Sequence, residues 1–380
     1  MNSAAPFKVM IFDADYDNAA MSAAVAAAFA AFPRELAGKQ VLVKPNILGG
    51  HPPEKAVTTH PALVAAVVDH LKKSGAEVLV GDNPGVHGYG RSEQAARITG
   101  IMDAAGDCFM SLGQNPVRHP LSSRDLDHVM IAGEVLRADL VVNLPKLKTH
   151  GLTFYTGAVK NTFGYVVGGD KMRVHARAVT PRRFAEALVD IYAIRPPELN
   201  IMDAVVAMEG NGPSNGRPRR VGKILAADNA VCLDATALRL VGRNPEMIPH
   251  LKIAAARGLG VLDAAAIALN TTPSPLADFA MPATFVPGMM GILLNRILSR
   301  WINCTPEVVP SVCKRCGLCV EHCPVGAMTM APGQCPTADK NKCINCYCCQ
   351  EMCPENAIVL SGRMMRRLRR LAFDQEKPGS

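Results

Sequence analysis

Short apolar runs that do not alternate with polar residues recur along the first two thirds of the chain, at residues 40–43, 76–80, 138–143 and 199–203. A strand that is apolar on both faces is covered on both faces, which is the habit of parallel sheets under helices. Between these runs lie stretches with helical spacing. Residues 17–32 are alanine-rich, and a second stretch starts near Thr58, Thr59 and His60-Pro61, runs to Lys73 and stops at Gly75. Further helices are expected at 92–105, 180–193, 229–241 and 247–257. This order predicts an α/β fold, an open and mostly parallel sheet covered by helices. Ligands of such sheets gather outside the carboxyl ends of the strands. The expected post-strand loops at 44–46, 81–83, 143–150 and 203–216 are therefore the candidate site.

Composition narrows the class. The chain has 380 residues, 49% of them hydrophobic, and can bury more than one core. Its first twenty residues lack a charged region followed by an apolar one, and no apolar run is long enough to span a bilayer, so a cytoplasmic protein is expected. Thirteen cysteines fit a reducing compartment. The net charge of +8 is concentrated in two places. One is the tail after residue 362, a possible contact for an acidic partner or an anionic membrane surface. The other spans Asn143 to Arg183, where eight Lys or Arg face the single Asp170. Aromatic residues make up 5% of the chain and offer no stacking platform, so nucleic acid is not expected.

The cysteines carry the sharpest chemistry. Cys313, Cys316, Cys319 and Cys323-Pro324 form the comb C-x2-C-x2-C-x3-C-P, and Cys343, Cys346, Cys349 and Cys353-Pro354 repeat it. Such a run holds [4Fe–4S] clusters, and in a pair the fourth cysteine of each ligates the other cluster. Two clusters follow: one on Cys313, Cys316, Cys319 and Cys353, the other on Cys343, Cys346, Cys349 and Cys323. Structural zinc is the alternative, but it needs neither a three-cysteine comb nor its repetition. The segment resembles the bacterial two-cluster ferredoxins, which implies a small α+β module at 304–362 between an α/β domain at 1–303 and the basic tail at 363–380. Cys335 and Cys348 are surplus to the combs, and Cys108 and Cys232 read as core residues. The apolar segment 281–302 is expected to pack the module against the α/β domain.

In the α/β domain, Lys44, Asn46, Asp82, Lys146, Lys148, Lys160, Asn161 and Lys171 lie at expected strand ends among glycines, a setting that suits a bound anion. His150 and His175 could supply a proton. A mononuclear metal on His60, His150, His175, Asp82, Asp203 and Glu209 is a further possibility. Neither glycine-rich stretch, at 81–85 or 209–216, is a nucleotide loop. Val43-Lys44-Pro45-Asn46, the Asn143–His150 segment, Gly157-Ala-Val-Lys160-Asn161-Thr-Phe-Gly164 and His175 resemble the domain-of-unknown-function 362 family, whose members are often fused to a two-cluster ferredoxin. The resemblance implies iron–sulfur binding and a redox role, without a substrate. The expected function is an iron–sulfur oxidoreductase acting on an anionic small molecule or cofactor. An electron carrier or adaptor for a redox partner protein, or a maturation factor for a metal or cofactor, are the alternatives.

Overall fold

A computed structural model describes residues 7–84, 92–121, 123–285 and 305–361. The basic tail and most of the apolar 281–302 segment lie outside them.

A nine-stranded sheet forms the centre of the α/β domain. Its strands are β1 (Phe7–Asp13), β2 (Gln40–Pro45), β3 (Glu77–Val80), β6 (Leu140–Leu144), β7 (Lys146–His150), β8 (Phe154–Tyr155), β9 (Leu199–Asn211), β10 (Asn215–Ala227) and β11 (Ile267–Leu269). β4 (Pro116–Pro120) and β5 (His128–Ala132) pair separately. The path β11-β1-β10-β9-β6-β2-β3 is parallel at β11/β1, β9/β6, β6/β2 and β2/β3, and antiparallel where β10 meets β1 and β9. The sheet is thus mixed and mostly parallel.

The non-alternating runs explain the layering. Val41 and Val43 point into one core with Val64 and Val67 of the Pro61–Lys73 helix. Leu42 and Val141 point into a second core with Ile131, Phe184 and Leu188. Both faces of the sheet are therefore covered.

Two expected loops are strands. Residues 146–150 form β7, buried throughout, which prolongs the line of β6 after Pro145 and pairs with β9. Residues 203–211 continue β9 into a long hairpin with β10. The helix expected at 92–105 is broken by Gly100 into Ser92–Ile98 and Ile101–Ala105.

Residues 305–361 form a module with two small sheets. β12 (Thr305–Val308) pairs with β15 (Ile358–Ser361), and β13 (Met328–Thr329) with β14 (Thr337–Ala338). Its halves repeat each other in backbone. Arg315, Gly317 and Gly326 have positive φ, as do Asn345, Tyr347 and Asn356 thirty positions later.

Candidate functional site: a cysteine-lined module seated on a buried polar lattice

The short helices Leu318–Glu321 and Cys348–Glu351 follow the positive-φ residues of each comb. This wraps the backbone so that thiols three positions apart line one cavity. Cys313, Cys316, Cys319 and Cys353 line one cavity, and Cys323, Cys343, Cys346 and Cys349 line another. Backbone N–H groups donate to the sulfurs: Arg315 to Cys313 Sγ at 3.4 Å, Ala327 to Cys323 Sγ at 3.1 Å and Ala357 to Cys353 Sγ at 3.2 Å. Burial pushes the Cys319 thiol up to about 11, a cost that ligation offsets because a coordinated thiol is deprotonated. Among the described residues no three His, Cys, Asp or Glu side chains are grouped to hold a metal ion. Four thiols around a cavity, with amides aimed at sulfur, fit a cluster of iron and sulfide.

The strand-end residues of the α/β domain do come together, as a buried lattice. Lys44, Lys146, Lys148 and Lys171 are 0%, 1%, 2% and 5% exposed. Lys44 Nζ is 2.7 Å from Asp82 Oδ1, and Asp82 Oδ2 accepts from the Ile47 amide. Lys146 Nζ is 2.7 Å from Asp203 Oδ2 and donates to Tyr16 Oη at 3.0 Å. Lys148 Nζ donates to Asn46 Oδ1 and the Val57 carbonyl, and Lys171 Nζ to the carbonyls of Asn83 and Pro84. Asn161 donates to Asn143 Oδ1 and accepts from Asn46.

Of the five lysines expected to hold an anion, four thus have internal partners for their ammonium groups. Burial holds Lys148 well below the ordinary lysine range and brings Lys171 to about 7. Lys160 differs. It is half-buried and, among the described residues, its ammonium has no carbonyl partner and no carboxylate of its own domain, while Glu351 of the iron–sulfur module acts on it.

The metal alternative is corrected on the same ground. Asp82 and Asp203 are taken by lysines, and Glu209 is 2.7 Å from Arg217 Nε. His60 caps the Pro61–Lys73 helix by accepting from the Ala62 amide and stacks on Tyr16 at 3.5 Å.

His150 and His175 are also buried, 1% and 5% exposed. Burial, aided by nearby Lys160, lowers His150 to about 4. His175 also falls to about 4, chiefly through burial. Both rings are neutral at pH 7, so neither stores the extra proton of an imidazolium acid. His150 Nδ1 accepts from the Leu152 amide at 3.1 Å, which leaves its proton on Nε2.

That nitrogen faces the module, where Glu351 Oε1 stands 3.1 Å away. Burial would raise Glu351, but His150, Lys160 and His175 outweigh it and hold the carboxyl down to about 2. At Gly151 a side chain would press on Leu360 and Tyr347, so glycine lets the two parts meet. Asn215 Nδ2 donates to the Ile358 carbonyl at 3.0 Å, and Tyr347 and Leu360 join the second core of the α/β domain. Beside this seam opens a cleft of about 450 Å³. Glu54, Lys55, Asn211, Ser214, Asn215, Gly216 and Pro218 form one wall, and Gln350, Asn356, Val359 and Leu360 the other.

Asp234, at the start of the helix Gly157–Asn161, sets the place of Lys160 and Asn161. It accepts from the amides of Ala158 and Val159 and from Tyr155 Oη. Gly157 has φ of +63°, and a Cβ there would overlap Asp234 and the Tyr155 ring. Gly157→Ala should therefore cost roughly 3 kcal/mol of stability, read by denaturant unfolding.

A mostly parallel α/β domain joined to a ferredoxin-type iron–sulfur module is the class these features define. The chain belongs to the DUF362 family, described as a domain of unknown function, which matches residues 41–239. A 4Fe-4S binding domain matches residues 306–329, so the module has the capacity for iron–sulfur electron transfer through at least one [4Fe–4S] cluster. A thylakoid-associated protein of Synechocystis sp. is 34% identical over 231 residues, which cover 60% of this chain and 70% of that protein. Among solved structures, the lactate racemase apoprotein of Thermoanaerobacterium thermosaccharolyticum is 13% identical with a TM-score of 0.40, covering 58% of this chain and 54% of that one. A structural-genomics protein of Thermotoga maritima is 12% identical with a TM-score of 0.38, covering 55% of each chain. This chain thus spans about half the length of either solved protein.

Proposed function

We propose that this protein is an oxidoreductase with two [4Fe–4S] clusters that exchanges electrons between a redox partner and a small polar molecule bound in the junction cleft. One observation carries this reading: the cleft is shared by both parts of the chain, and its module wall interleaves with the cysteine cavities. Asn356, Val359 and Leu360 line the cleft, while Cys353, Glu355, Ala357 and Ile358 line one cavity. Gln350 lines the cleft next to Cys349 of the other. The clusters, when bound, supply one-electron transfer.

The chain's own residues do the rest. Asn211, Asn215 and Asn356 offer amide donors and acceptors to a ligand, and Glu54 and Lys55 offer one charge of each sign.

The test is reoxidation of the anaerobically reduced protein by cell extract divided into small-molecule and macromolecular fractions. A small-molecule fraction should reoxidise the native chain, and Pro218→Trp, which obstructs the cleft, should slow this at least tenfold at unchanged iron content. Reoxidation by macromolecules alone, indifferent to the substitution, would instead make the protein an electron carrier.

A further inference from the structure

Among the lysines of the buried lattice, Lys44 and Lys146 each have a carboxylate of their own domain, and Lys148 and Lys171 lie on carbonyls. Lys160 has neither among the described residues. Its charge acts on Glu351 together with His150 and His175. The carboxylate facing this group comes from the module: Glu351 Oε1, 3.1 Å from His150 Nε2. The contact is close but misaligned. Glu351 Oε1, His150 Nε2 and His175 Nδ1 all lack a hydrogen bond among the described residues, though each is buried. Unsatisfied buried groups of this kind are costly unless a ligand or partner meets them.

The pocket does not depend on Glu351 for its shape. His150 is pinned through Nδ1 by the Leu152 amide. His175 is stacked on Phe184, centroids 4.4 Å apart, and set edge-on to Phe163 at 5.7 Å. We propose that His150, Lys160 and His175 form a receptor for a small carboxylate, and that Glu351 of the iron–sulfur module is its built-in occupant. Tethering gives Glu351 an effective concentration in roughly the millimolar range or above, so dilute free carboxylates do not displace it. Removing its side chain leaves the same donors around a space suited to formate. The receptor stands whether or not the junction cleft binds a redox substrate, so the two proposals fail separately.

The experiment uses the full chain with its iron–sulfur centres loaded, and reads the thermal unfolding midpoint. Glu351→Ala should unfold several degrees below the native protein. Sodium formate should recover at least half of that loss, with half-saturation in the millimolar range, relative to sodium chloride at equal ionic strength. The native chain should not respond, and neither should Glu351→Ala combined with His150→Leu. Formate acting no better than chloride, or acting equally on the native chain, would overturn the proposal. If Glu351→Ala does not accumulate as folded protein, a double-mutant cycle of Glu351→Gln against Lys160→Met decides. Coupling of tenfold or more in the unfolding constant supports the receptor, and additivity overturns it.

Discussion

Cys353→Ala should cost the protein about half of its iron, and the half lost should belong to the first comb, not to the comb in which Cys353 sits. Cys353 lines the cavity of Cys313, Cys316 and Cys319, whereas Cys323 lines that of Cys343, Cys346 and Cys349. Pairing the substitution with a second one tells the two assignments apart. Cys316→Ser added to Cys353→Ala strikes the same cavity twice, so iron should stay near four per chain, from about eight in the native protein. Cys346→Ser added to Cys353→Ala strikes both cavities, and iron should fall toward zero. The reverse pattern would mean that each comb closes on its own fourth cysteine. Iron and sulfide analysis after anaerobic purification reads all four proteins.

Asp203→Ala should destabilise the α/β domain by about 3–5 kcal/mol, because it leaves Lys146 buried without its counter-ion. Lys146 is 1% exposed, and Asp203 is fully buried between Lys146 Nζ at 2.7 Å and Tyr16 Oη at 2.8 Å. Asp203 also accepts from the His60 amide at 2.9 Å, so the loss includes more than one hydrogen bond. Combining Asp203→Ala with Lys146→Met removes the stranded charge, and the double variant should regain at least half of the lost stability. Denaturant unfolding gives both values. Additive losses in the double variant would show that the ion pair is not what the site depends on.

The sheet was legible wherever strands are apolar on both faces, as at Val41–Val43 and Val78–Val80. It was illegible at β7, where Lys146, Lys148, Thr149 and His150 look like a loop. The two lysines are buried in a strand because partners elsewhere satisfy their ammonium groups. Those partners are distant in sequence: Asn46 lies 102 residues from Lys148, and Asp203 57 residues from Lys146. Of the lysines singled out as a cationic site, four of five are thus internally paired, which their local sequence does not show. β10 was missed because its first half carries Arg217, Pro218, Arg219 and Arg220 and resembles an exposed loop. The cysteine combs could be read because their spacing is local. The junction cleft could not, since its walls come from around residues 54, 211–218 and 350–360. Glu351 carried no local signal beyond its place between two cysteines, and only the seating of the module brings it to His150.

A reductive titration of anaerobically purified protein, with iron and sulfide counted on the same sample, bears most directly on the central claim. Two cysteine cavities joined to one cleft predict about eight irons, about eight sulfides and two one-electron steps per chain. A chain that carries zinc without sulfide, or takes up no electrons with its metal complete, would contradict the account.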